Sequence, residues 1–254
     1  MRTGRTTPCR PGPMRRLAVF DIDGTLTDTN AVDEECYLRA VAEVLGLEAA
    51  ALDWSQAPHV TDSALLRWLC ERHCGRTLGD GEAEATIGRF LELLRAELAA
   101  APGRFRATPG APAVIGCLRE AGWEVALATG GWEPSARLKL AAAGLAADDL
   151  VLASASDAPT RQEILELAAD RAMERGGGAF SRIVAVGDAL WDLRTAAALG
   201  WPFVGVASGE RASRLRAAGA SVVLEDLADP AAFRAALEAA AVPDGPTASG
   251  RFSD

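Results

Sequence analysis

The sequence predicts an α/β fold of the doubly wound, Rossmann-like kind: a parallel sheet carrying a small inserted helical domain. Three observations predict it. Six short apolar runs recur along the chain, amphipathic stretches separate most of them, and one long interval after the first run holds helical patterns but no strand.

The strand candidates are LAVFDI (17–22), EVALAT (124–129), LVLAS (150–154), RIVAVG (182–187), PFVGVA (202–207) and SVVLE (221–225). Between the second and third lies EPSARLKLAAAGL (133–145), where Pro near the start and Gly near the end punctuate a helix. Strand, helix and strand in alternation imply right-handed crossovers. The interval 29–107 breaks this rhythm. Its segments 31–47, 61–73 and 82–100 carry apolar residues at three and four spacing, the pattern of a small helical bundle. The expected division is therefore a core of 16–28 and 108–241, with a helical cap domain over 29–107. Tails over 1–15 and 242–254 are rich in Pro, Gly and polar residues and are expected to be disordered, with Met14 as a candidate alternative start.

Composition narrows the function. With 254 residues, 49% of them hydrophobic, the chain can bury one substantial core and a smaller accessory one. Acidic residues number 35 against 26 basic, and the net charge of -9 leaves no electrostatic footprint for nucleic acid or an anionic membrane. No apolar run approaches the roughly 18 residues of a membrane span, and no signal-peptide pattern follows the basic N-terminus. Five cysteines, at 9, 36, 70, 74 and 117, form no disulfide framework, which suits a reducing cytoplasm. Cys70, His73 and Cys74 lack a second ligand pair and read as a helix with two thiols.

The chemistry concentrates at strand ends. In AVFDIDGTLTDT the first apolar run stops at Asp21 and Asp23, Gly24 permits a bend, and Thr25 adds a hydroxyl. Alone, such a segment is also an ordinary acidic turn. EVALATGGW ends in Thr129, Gly130 and Gly131, a hydroxyl with backbone amides suited to a phosphoryl oxygen. RIVAVGDALWD places Asp188 and Asp192 after another strand, although a helix cap would also explain Asp192. Arg161 stands near the start of the helix before that strand, where a surface arginine is equally ordinary. Together these groups share the edge where open α/β sheets bind ligands. Carboxylates clustered there repel one another unless a cation holds them. An oxygen-only donor set suits a hard divalent ion such as Mg²⁺, and the absence of His and Cys disfavours zinc.

These motifs, in this order over residues 16 to 225, resemble the haloacid dehalogenase superfamily in its helical-cap, phosphoglycolate phosphatase-like form. The resemblance implies a Mg²⁺-dependent phosphatase acting on a small phosphorylated metabolite. It casts Asp21 as the nucleophile that forms an aspartyl-phosphate, and Asp23 as the acid and then the base. By the same resemblance Thr129 and Gly130 hold the phosphoryl group and Arg161 balances its charge. Asp21, the carbonyl of Asp23 and Asp188 bind Mg²⁺, with Asp192 in support. The family's third motif usually supplies lysine; here the matching position is Arg161, and Lys139, the single lysine of the chain, ranks second.

Within the family, the second aspartate disfavours a dehalogenase, and a cap without lysine disfavours a phosphonatase. A sugar phosphomutase remains an alternative, as does a catalytically silent binding module. Candidate substrate contacts in the cap are His59, Thr61, Asp62 and Tyr37, with helix capping and bundle packing as the plain alternatives. Trp132 and Trp191 can wall the pocket or pack on the sheet, and Arg104 and Arg106 can meet an anion or stand solvated. Phosphoglycolate, a sugar phosphate or a nucleoside monophosphate would each suit such a site, and no surface pattern discloses an oligomeric state.

Overall fold

The computed structural model describes residues 15–48, 52, 54, 56–79 and 81–244. The expected tails therefore lie outside the described residues, except for residue 15 and residues 242–244. All six predicted strands form: β1 (Arg16–Phe20), β4 (Trp123–Ala128), β5 (Val151–Ala153), β6 (Arg182–Gly187), β7 (Phe203–Val206) and β8 (Val222–Leu224). They build one sheet in the order β5-β4-β1-β6-β7-β8, with every pairing parallel.

Side-chain alternation along the strands creates two cores. Ala18 and Phe20 of β1, with Val125 and Leu127 of β4, pack under α4 (Ala111–Glu120), α5 (Glu133–Ala142) and α9 (Pro230–Ala239). Leu17 and Val19, with Ala126 and Ala128, face α6 (Arg161–Gly176), α7 (Leu190–Leu199) and α8 (Gly209–Ala217). A sheet covered on both faces needs apolar residues at consecutive positions, which is why the strands read as unbroken runs. Because β4 follows β1 on one side and β6 lies on the other, the chain reverses its winding at β1. That reversal opens a crevice past the C-terminal end of β1.

Between β1 and β4 come α1 (Asn30–Leu45), α2 (Asp62–Cys74) and α3 (Glu82–Ala100), close to the predicted helices. They enclose a third core around Tyr37, Leu66, Leu69, Phe90 and Leu94. The interval was expected to hold no strand, yet β3 (Arg106–Ala107) pairs antiparallel with β2 (Thr27–Asp28). Two residues per strand are too few to register as a period in sequence. Arg104 pairs with Glu35 and Glu97, and exposed Arg106 with Asp28, so both are solvated partners of this neck rather than lining of the cleft. Among the described residues no helix is long and apolar enough to cross a membrane.

Candidate active site

A cleft of about 300 Å³ lies at the winding reversal, between the sheet's C-terminal edge and the helical insertion. β1 delivers Asp21 to its floor, where the Asp21 amide still donates to Val186 O at 2.9 Å in the manner of a strand residue. The chain then turns: the amides of Thr25, Leu26 and Thr27 all converge on Ile22 O. Gly24 has φ +82°, and a Cβ there would overlap the Asp188 carboxylate and the Asn30 amide, so both conformation and space require glycine.

β6 delivers Asp188 and, one helical turn on, Asp192, both buried. Among the described residues, one group of ligand-type side chains is compact enough to hold a metal: Asp21, Asp188 and Asp192, with oxygens within 4.8 Å of one another. The Asp23 carboxylate turns away from this group, accepting from Thr29 Oγ1 and from Lys139 Nζ, each at 2.6 Å. Arg161, at the first position of α6, donates to Asp21 at 3.2 Å and to Asp192 at 2.8 Å. Its Nε also reaches Val60 O at 3.1 Å, tying the insertion to the floor. Arg211 of α8 donates to Asp188 at 2.6 Å. Arg161, rather than Lys139, therefore reaches the candidate nucleophile.

Electrostatics report an excess of buried negative charge. Burial, then the Asp192 charge, push the Asp21 carboxyl up to about 8, against the pull of Arg161. Burial and Asp21 lift Asp188 to about 7 despite Arg211, and burial lifts Asp192 to about 6 despite Arg161. Two arginines do not neutralise this cluster. A hard divalent cation on oxygen donors fits it, with Asp21 and Asp188 as the natural ligands.

Thr129 follows β4, its amide donating to Ala153 O at 3.0 Å. Its hydroxyl accepts from the Gly131 amide at 3.0 Å, and Thr129, Gly130 and Gly131 all line the cleft. A Cβ on Gly130 would crowd Arg161 and Val60 O, which explains the glycine.

The insertion's candidates divide. Tyr37 lines the cleft, but its hydroxyl donates to Asp62 O at 2.8 Å and its ring packs on Phe90 and Trp132. Thr61 takes the helix-cap alternative, accepting from Ala64 N, and donates to Pro159 O at 2.7 Å. His59 is exposed and borders a hollow that adjoins the cleft, the two sharing Val60, Arg161 and Trp191. Asp62 lines the cleft and accepts from the Trp132 amide at 2.8 Å. Trp191 also lines it, whereas Trp132 is buried in the insertion's core.

Sequence reasoning missed Asp33, Asn30, Arg211 and the environment of Lys139. The Lys139 ammonium is wholly buried between Asp23 and Asp33, ion-paired with both. Burial alone would lower its pKa, but the two carboxylates raise it above its usual range. Asp33 lies in the first turn of α1, where an acid is ordinary. Partners 106 residues apart leave no local signal.

The sequence profile of the haloacid dehalogenase-like hydrolases matches residues 16–200, and a HAD-hydrolase-like profile matches 165–243. A phosphoglycolate phosphatase of Agrobacterium fabrum is 29% identical over 229 residues, covering 87% of this chain and 94% of that one. A hydrolase from Pseudomonas syringae superposes with a TM-score of 0.66 at 21% identity, covering 88% of this chain and 98% of that one. A candidate β-phosphoglucomutase from Bacteroides vulgatus gives 0.63 at 18%, covering 89% and 91%. A profile match spanning the switch-point strand, the helical insertion and the Asp188 loop establishes the relationship: the chain belongs to the haloacid dehalogenase-like hydrolase family.

Proposed function

We propose that the chain is a Mg²⁺-dependent phosphatase that hydrolyses a small phosphomonoester through an aspartyl-phosphate on Asp21. The observation that carries this reading is the buried Asp21 carboxylate at the crevice floor, 3.2 Å from Arg161 and facing the Thr129–Gly131 turn across one cleft. The likeness to a phosphoglycolate phosphatase supports it.

A phosphoryl group placed against Thr129 and the Gly130 and Gly131 backbone would have Arg161 beside it to balance its charge. An Asp21 oxygen attacks phosphorus, the bond to the ester oxygen breaks, and a proton from Asp23 goes to the departing alcohol. Asp23 then takes a proton from water, whose oxygen attacks the aspartyl-phosphate, releasing inorganic phosphate and restoring Asp21. Thr29 and Lys139 fix the Asp23 carboxylate for both steps. Mg²⁺, when bound by Asp21 and Asp188, would supply charge neutralisation for the phosphoryl oxygens. The helical insertion acts as a cap that excludes water from the acyl phosphate.

Phosphate release from a panel of phosphorylated metabolites, assayed with Mg²⁺, with EDTA and with Asp21→Asn, tests the reading. Metal-dependent release that disappears in the variant is the expected result. Folded protein that releases no phosphate from any compound would overturn it.

A further inference from the structure

Both oxygens of the Asp23 carboxylate are held in place, and both holds lead back to one turn of the insertion. Thr29 Oγ1 donates to Oδ1 at 2.6 Å, and Lys139 Nζ donates to Oδ2 at 2.6 Å. Thr29 is the N-cap of α1, a position at which a threonine hydroxyl ordinarily accepts from an amide of the helix. Here it makes no capping bond and engages Asp23 instead. Lys139, on the core helix α5, also pairs with Asp33, whose amide donates to Thr29 O at 2.9 Å in the first turn of α1. The ammonium is wholly buried, whereas Asp23 and Asp33 keep 16% and 18% of their side chains exposed and line the cleft. A buried ion triad is a weak means of stabilising a fold, so its place against the acid and base of the reaction calls for another reason.

We infer that Asp33 is a positioning residue for leaving-group departure: through Lys139 it fixes where the Asp23 carboxyl stands, and it does so from the insertion. The inference rests on the phosphatase reading and deepens it. A lysine ammonium is a point charge on a flexible four-carbon stem. Held by two carboxylates its position is fixed; held by Asp23 alone it can pivot about that contact and take the carboxyl with it. As the bond between phosphorus and the ester oxygen breaks, the proton on Asp23 must already stand within hydrogen-bond reach of that oxygen, to which it passes. The first turn of α1 thus joins two events, the seating of the insertion over the cleft and the placement of the group that protonates the departing alcohol.

The test compares leaving groups that need a proton with one that does not. p-Nitrophenyl phosphate releases a stable phenolate, whereas benzyl phosphate, sn-glycerol 3-phosphate and 2-phosphoglycolate must release an alcohol. kcat/KM includes no step after departure of the leaving group, so later hydrolysis of the aspartyl-phosphate does not enter it. With Mg²⁺, the ratio of kcat/KM for the best of the three alkyl substrates to that for p-nitrophenyl phosphate is expected to fall about tenfold or more in Asp33→Ala. Asp33→Asn keeps an oxygen to face the ammonium and should hold the ratio within about threefold of the native value. A merely structural loss would lower both kinds of substrate alike. A smaller fall in Asp33→Ala therefore overturns the inference while the phosphatase reading stands. An equal fall in Asp33→Asn does the same, since charge rather than reach would be the agent. A native chain that cleaves only the aryl ester lacks the proton transfer the inference needs and overturns it too. Release of phosphate from none of the four substrates overturns the phosphatase reading, and the inference with it. Should Asp33→Ala fail to fold, Asp33→Ser, with a shorter side chain than aspartate, is read in its place.

Discussion

The Asp62 carboxylate, in the first turn of α2, accepts a 2.8 Å hydrogen bond from the Trp132 amide at the start of α5. The Asp62 amide returns a bond of 2.8 Å to Gly130 O, so one residue of the insertion reads two positions of the Thr129–Trp132 turn. Asp62→Ala leaves the buried Trp132 amide without an acceptor. The expected cost is about 1–3 kcal/mol, seen as a lower midpoint in urea unfolding, with Asp62→Asn retaining most of the stability.

Burial, then the Asp33 charge, hold the Asp62 carboxyl up to about 8, against an ordinary value of 3.8. Between these values the folded chain binds more protons at this site than the unfolded chain, so stability from this group falls as pH rises through the window. Thermal melts in EDTA at pH 6 and pH 9 should show a smaller fall in Tm for Asp62→Asn than for the native chain. Equal falls would show that Asp62 is ionised throughout.

Arg161→Lys keeps a positive charge but cannot reach Asp21, Asp192 and Val60 O together. Steady-state kinetics are expected to show kcat/KM reduced by about 10-fold for Arg161→Lys and about 10²-fold or more for Arg161→Ala. Unchanged kinetics in Arg161→Ala would remove this arginine from the phosphoryl site.

Lys139→Met leaves Asp23 and Asp33 facing each other without their shared ammonium. Removing one member of such a buried set typically costs about 3–5 kcal/mol. Adding Asp33→Asn should recover part of the loss, and a double-mutant cycle by denaturant unfolding measures the coupling. Additive effects would mean that the two residues do not interact.

Addition of Mg²⁺ should raise Tm, since an ion that binds only the folded chain at 100 times its Kd contributes about 2.7 kcal/mol. Asp188→Asn is expected to abolish most of that rise. Gly24→Ala should reduce it as well, because its methyl group displaces the Asp188 carboxylate, and the strained φ adds a cost of about 1–2 kcal/mol. A Tm rise that survives in Asp188→Asn would place the metal elsewhere.

What the sequence disclosed depended on the range of the interaction. LAVFDI and RIVAVG are legible as strands because burial on both faces of a parallel sheet writes itself into consecutive residues. Asp21, Thr129 and Asp188 are legible as neighbours because strand ends in such a sheet share an edge. The helix cap formed by Thr61 was one of two readings its position allowed, and the structure selects it. The burial of Lys139 was not legible: a lone lysine in an amphipathic helix ordinarily faces water, and only the tertiary fold brings Asp33, from the first turn of α1, to it. Arg211 likewise reaches Asp188 from α8, a helix with no motif to mark it.

The pairing of Thr27 with Ala107 has a topological consequence. The whole insertion leaves and re-enters the core through adjacent rungs of this separate two-stranded ladder, whose Cα atoms in such pairings lie about 5 Å apart. The insertion is therefore closed at its base by four residues, whatever the length of chain suspended beyond them. Lengthening or shortening α1 to α3 changes loop-closure entropy only logarithmically. The floor that holds Asp21 is thereby insulated from variation in the helices that cover it.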